Sequence, residues 1–181
     1  AEELVGTRHG LVIVDCSEYS ADHEYAKLIG APNGYIGFEH GGMLTNAIKK
    51  NPFSIVLFDE IEKASIKVHQ LLLQIMDEGR LTDGRGQKIS FRDAIIIMTS
   101  NLGVKETQQV QKTIGFGEAS NLTDEKRAKA TRDALKKEFK PEFLNRVSCI
   151  VDFGSLTKEN YLKIIELELE KLKMYLKLNK T

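Results

Sequence analysis

Two carboxylates stand together where an apolar run ends, Ser54-Ile55-Val56-Leu57-Phe58-Asp59-Glu60, and an amide closes a second such run at Thr99-Ser100-Asn101. Brought to one edge of a sheet, these side-chain types suit hydrolysis of a phosphate ester. Asp59 could hold Mg²⁺ through its water shell, Glu60 could take a proton from attacking water, and Asn101 could orient that water or contact the terminal phosphate. Each piece alone has an ordinary reading: a strand meeting a solvated helix start, or an Asn opening a turn. Only the pairing of the two strand ends favours a site.

The elements that must position these residues are legible as periodicity. Leu11 to Val14, Ile55 to Phe58, Ala94 to Thr99 and Cys149 to Phe153 are short apolar runs, each ending in a polar residue, and are predicted to be buried strands. From Glu62 to Glu78, the spacing of Val68, Leu71, Leu72, Ile75 and Met76 predicts a helix. A second helix is expected from an N-cap at Thr123 to about Phe139, where Pro141 stops it. A third, amphipathic, follows Thr157 with Tyr161, Ile165, Leu169, Leu172 and Leu176 on one face. Alternating strands and helices predict an α/β fold with a parallel sheet covered on both faces and ligand chemistry at the carboxyl ends of the strands. Asp83-Gly84 between Leu81 and Phe91 signals an inserted hairpin, and Val104 to Asn121 reads as a long exposed loop. No internal repeat or low-complexity tract interrupts this plan.

Composition narrows the classes. The 181 residues, 41% of them hydrophobic, suffice for one sizeable core. Lys+Arg and Asp+Glu both total 26, so no bulk charge favours nucleic acid or an anionic membrane. No apolar run approaches the ~20 residues that span a bilayer, which predicts a soluble, cytoplasmic protein. Cys16 and Cys149, each in a strand-like stretch, are expected to be buried free thiols. His9, His23, His40 and His69 lack zinc-ligand spacing, which leaves Mg²⁺ as the expected ion.

Longer strings carry a family resemblance. Leu28-Ile29-Gly30-Ala31-Pro32-Asn33-Gly34-Tyr35-Ile36-Gly37, Phe58-Asp59-Glu60-Ile61-Glu62-Lys63-Ala64, Asp77-Glu78-Gly79-Arg80-Leu81-Thr82-Asp83-Gly84-Arg85-Gly86, Met98-Thr99-Ser100-Asn101-Leu102-Gly103 and Phe139-Lys140-Pro141-Glu142-Phe143-Leu144-Asn145-Arg146 follow in order. So arranged, they resemble the second ATPase module of the Clp/Hsp100 AAA+ unfoldases. The resemblance implies a three-layer α/β/α P-loop NTPase core over residues 1–154 and the first helix of a C-terminal lid over 155–181. It implies ATP and Mg²⁺ as ligands, with Asp59 and Glu60 as the Walker B pair and Asn101 as sensor 1. Arg146 would be an arginine finger reaching a neighbouring subunit's nucleotide, which implies a homo-hexamer.

Gly34-Tyr35-Ile36-Gly37 resembles the loop that grips substrate polypeptide, an aromatic between glycines. Read without the family it is a turn with a half-buried Tyr. Asp83-Gly84-Arg85-Gly86 resembles a second pore loop, or is simply a hairpin tip. Ile114-Gly115-Phe116 resembles the tripeptide that docks on the ClpP peptidase ring, or is a hydrophobic tether folding its loop back.

The family's Gly-x-x-x-x-Gly-Lys-Ser/Thr loop is not in the sequence, nor is the sensor 2 motif. The expectation is that the phosphate cradle lies upstream of Ala1 and that the chain alone binds nucleotide weakly or not at all and is inactive. A protease-linked unfoldase, a ClpB-like disaggregase and a non-catalytic interaction fragment all stand as readings at this point.

Overall fold

The computed structural model describes residues 10–32, 34–35, 38–103, 124–154 and 156–178, with backbone only at 124–127 and 177–178. In chain order the elements are β1 (Leu11–Asp15), α1 (Ala26–Ile29), α2 (Met43–Lys50), β2 (Ile55–Asp59), α3 (Ile66–Glu78), β3 (Arg80–Thr82), β4 (Lys88–Ser90), β5 (Ile95–Met98), α4 (Asp124–Glu138), α5 (Pro141–Leu144) and α6 (Lys158–Leu178). Single 3₁₀ turns at Cys16–Tyr19, Phe38–His40 and Ile61–Lys63 punctuate them. The chain forms two compact units, Ala1–Ile150 and Val151–Thr181.

In the first unit, β-branched runs make a three-stranded parallel sheet in the order β1-β2-β5. Parallel neighbours need long crossovers, and helical segments supply them. The register sets Asp15 beside Asp59 and Phe58 beside Met98, so the polar ends of the strands arrive at one edge.

Alternation along each strand decides what is buried. Val14, Val56 and Phe58 join a core with Leu28, Leu44, Ile48, Val68 and Leu72, each fully buried aliphatic contributing about 2 kcal/mol of transfer free energy. On the opposite face Leu11, Ile13, Ile95 and Ile97 stay partly exposed, so among the described residues one face of the sheet is covered more fully than the other.

Helix α3 buries Val68, Leu71, Leu72 and Ile75, the stripe its periodicity predicts. It begins at Ile66 rather than Glu62 because Ile61–Lys63 close a separate 3₁₀ turn and the backbone is extended at Ala64 (φ −67°, ψ 147°) and Ser65 (φ −63°, ψ 158°), which a continuous helix cannot contain. Gly79, with φ 63°, closes α3 by donating its N–H to the Ile75 carbonyl. The expected hairpin is present, β3 pairing antiparallel with β4. Pro141 does more than stop a helix: it occupies the first turn of α5, where its missing N–H costs nothing.

Two expectations fail at one place. Cys149 to Phe153 forms no strand, and Cys149 is exposed while Cys16 is buried; both thiols are free. An apolar run specifies a side-chain face, whereas a strand also needs an edge to pair with, and that edge is not a local property.

The second unit contains α6, capped by Thr157, whose hydroxyl accepts the Asn160 N–H at 3.3 Å. Its apolar residues Tyr161, Ile165, Leu169, Leu172 and Leu176 are exposed. Among the described residues no helix is long and apolar enough to cross a membrane.

Candidate active site

The carboxyl edge of β2 and β5 brings Asp59, Glu60 and Asn101 together. Thr99 is the hinge of the arrangement. Its hydroxyl donates to Asp59 Oδ1 and accepts the Glu60 N–H at 3.1 Å, while its carbonyl accepts the Ile61 N–H at 3.0 Å. These bonds hold Glu60 in its left-handed conformation, which costs a non-glycine residue about 1–2 kcal/mol. The bend turns the Glu60 carboxylate toward Asn101, whose Nδ2 donates to Oε1 at 2.9 Å. The Asn101 backbone N–H donates to Glu62 Oε1 at 3.0 Å.

Charge is concentrated here. Lys63 donates to Glu60 Oε2, and that bond, with the nearby Glu62 and Asp15 carboxylates, raises its pKa. Asp15 accepts the Ser17 hydroxyl and, at 2.9 Å, the Ser17 N–H, which hold its carboxyl below the usual range. Cys16 lies just beneath. Burial, then the negative charges of Asp15, Asp59, Glu62 and Glu60, push its thiol up to about 12.

The donor set suits Mg²⁺ in one way. Asp59 offers hard oxygen at an exposed sheet edge, with one oxygen taken by Thr99. Among the described residues no three His, Cys, Asp or Glu side chains converge to form a protein cage. A Mg²⁺ ion fits only as one held mainly by phosphate and water, with Asp59 reaching its hydration shell.

The candidate pore segments form a second cluster. Tyr35 is 70% exposed, not half-buried, and follows Gly34 at φ 90°. The hairpin tip folds onto the 3₁₀ turn Phe38–His40: the Arg85 guanidinium donates to the Phe38 carbonyl at 3.3 Å and to the Glu39 carbonyl, and lies 5.6 Å from the Phe38 ring centre. Gly84 donates to the Ile29 carbonyl at 2.9 Å, and a Cβ there would stand 2.4 Å from the Gly30 carbonyl oxygen.

Asp83, only 6% exposed, organises the tip. Burial alone would raise its pKa, but Lys49 at 2.7 Å and the N–H groups of Gln87 and Arg85 outweigh it and hold the carboxyl low. The second candidate loop is thus anchored at Asp83, Gly84 and Arg85. Gly86, at φ 80°, has open space around it.

Arg146 stands apart from the Asp59 edge in its bonding. Its Nε pairs with Asp77 Oδ1 on α3 at 2.7 Å, both half-exposed. Ile36 and Gly37 of the first pore segment, and Ile114, Gly115 and Phe116, lie outside the described residues. Thr99, Lys63 and Asp15 join the site without having been expected there from the sequence. A usable signal existed for each: a hydroxyl or carboxylate ending a strand, and a Lys three residues after Glu60.

The chain belongs to the AAA domain (Cdc48 subfamily) family, which matches residues 1–150. Within that class it is similar to Clp proteins. It is 46% identical over 172 residues to the ATP-dependent Clp protease ATP-binding subunit ClpE of Lactococcus lactis, covering 95% of this chain and 22% of that protein. It is 44% identical over 177 residues to the chaperone protein ClpB of Prochlorococcus marinus, covering 98% of this chain and 20% of that one. A cryo-EM reconstruction of Hsp104 with ATPγS and FITC-casein in its closed state matches at a TM-score of 0.79 and 36% identity, over 95% of this chain and 28% of that chain. The AAA+ fold and the Clp/Hsp100 resemblance read from the motifs are borne out. The chain spans about a fifth of the length of these curated relatives.

Proposed function

We propose that this chain is an ATP-hydrolysing module of a Clp-type polypeptide unfoldase, carrying the hydrolytic half of its nucleotide site and acting in a homo-hexamer. The observation that carries the reading is the bonded edge Asp59-Thr99-Glu60-Asn101, in which two carboxylates and an amide stand side by side, the side-chain types such a hydrolysis needs. Hsp104 holds ATPγS and casein in its reconstruction, and the same two ligand classes suit this chain.

When bound with nucleotide, Mg²⁺ supplies charge neutralisation on the phosphate oxygens. Asp59 orients its hydration shell. Glu60 accepts the proton of the water that attacks the terminal phosphorus, as the bond from phosphorus to the oxygen leaving with ADP breaks. Both Glu60 oxygens are engaged at rest, Oε1 by Asn101 and Oε2 by Lys63. The Lys63 pair is solvent-exposed and screened, so it is the bond that yields. Arg146 adds positive charge to a neighbour's transferring phosphoryl group, and Tyr35, Gly34, Ile36 and Gly37, backed by the Asp83–Gly86 tip, grip the passing chain.

In a polypeptide joining this segment to a Gly-x-x-x-x-Gly-Lys-Ser/Thr loop, Glu60→Gln lowers ATP turnover at least about 100-fold while nucleotide binding persists. Unchanged turnover overturns the assignment. Within the class we favour the protease-linked member, with Ile114, Gly115 and Phe116 docking on a ClpP-type peptidase. A peptidase pull-down indifferent to substitution of Ile114 and Phe116 rejects that choice in favour of a stand-alone disaggregase.

A further inference from the structure

Helix α5 has four residues, too few to hold a helical shape unaided, so whatever fixes Arg146 must come from packing. The packing is aromatic. Phe139, which follows α4, and Phe143 of α5 are both buried and stack with ring centres 5.3 Å apart. The His69 ring of α3 completes the group, meeting Phe139 edge-on at 5.4 Å and Phe143 at 5.6 Å.

His69 is itself oriented. Its Nε2–H donates to the Ile61 carbonyl at 2.9 Å, in the turn directly after Glu60. Arg146 donates its own backbone N–H to the Phe143 carbonyl at 3.1 Å. Its guanidinium is then met by Asp77, further along the same helix that carries His69.

We propose that His69 is a positioning residue for Arg146: anchored on the Ile61 carbonyl, it seats the short helix bearing the arginine, and so places the finger that one subunit offers its neighbour. The inference rests on the trans role of Arg146 given above. Its physical content is that α3 holds this region at two points, through His69 on the Phe139-Phe143 pair and through Asp77 on the guanidinium. Asp77 is half-exposed and its pair is screened, so the buried aromatic contact is the stronger anchor.

The test uses mixed assemblies of the full-length protein. Subunits carrying Glu60→Gln cannot hydrolyse but still offer Arg146; subunits carrying Arg146→Ala hydrolyse only when a neighbour supplies the finger. Mixing the two restores ATP turnover. His69→Ala placed in the Glu60→Gln donor then lowers the restored turnover about tenfold, since a misplacement of about 1 Å in a transition-state contact is that costly or more. The same change in the Arg146→Ala recipient costs less than about a third of that. His69→Phe, which keeps a ring against Phe139 and Phe143, recovers at least half of the donor's effect. Equal loss in donor and recipient, no loss in either, or a Phe variant no better than Ala overturns the inference. Absence of any restoration before His69 is changed overturns the trans role itself, and the inference with it.

Discussion

The proposed hydrolytic edge and the candidate pore cluster solve opposite problems. At the edge, strand register and Thr99 fix each group, and the Glu60 backbone is held in a conformation it would not choose. At the pore cluster, glycines let backbones approach, Asp83 and Arg85 fasten the tip, and Tyr35 is left exposed. In the proposed function the groups at the edge act on reacting atoms and are fixed by several bonds, whereas Tyr35 meets a passing chain and is held only at its base.

The glycines give the largest test of that contrast. Gly84→Ala would drive a methyl group into the Gly30 and Ala31 carbonyls, and is expected to destabilise the chain by about 3 kcal/mol. Gly34→Ala meets open space and pays only for its positive φ, about 1 kcal/mol. Urea midpoints of the two variants measure the difference. Equal losses would show that the base of the Tyr35 segment is no more tightly built than its tip.

The next test separates the regions by coupling. In the full-length protein Thr99→Val removes the bridge between Asp59 and Glu60, and is expected to lower hydrolysis and polypeptide unfolding together, about tenfold. Tyr35→Ala is expected to lower the unfolding achieved per ATP consumed, again about tenfold. A Thr99 variant that changed only this ratio would break the division of labour drawn above.

The smallest effect is electrostatic. The Cys16 thiol, raised to about 12 by burial and the carboxylates above it, binds its proton more tightly folded than unfolded, where the ordinary value is 9.0. Its contribution to stability is therefore full below pH 9 and is lost as pH rises toward 12. Denaturation midpoints across that window should fall more steeply for the parent than for Cys16→Ala. At neutral pH a thiol reagent should label exposed Cys149 and leave Cys16 until the chain unfolds.

Much of the hydrolytic edge was legible because apolar runs ending in Asp59 and in Thr99-Ser100-Asn101 specify both strands and what stands at their ends. The stripe of Val68, Leu71, Leu72 and Ile75 specified α3 in the same way. What escaped were contacts between residues of different elements whose types are unremarkable alone. Arg85 on the Phe38 carbonyl, His69 on Ile61 and the phenylalanines, and Arg146 on Asp77 carry no periodic signal. Cys149 to Phe153 shows the converse, a local pattern without a partner strand.

Glu60 is the single non-glycine residue with positive φ among the described residues. Glycine or asparagine would sit there more comfortably, so selection for stability alone would erode the carboxylate. With Glu60 in its proposed role as base, a change there that relieves the backbone is expected to raise stability and lower turnover together, so thermostable variants should be screened for activity before any change at this position is kept.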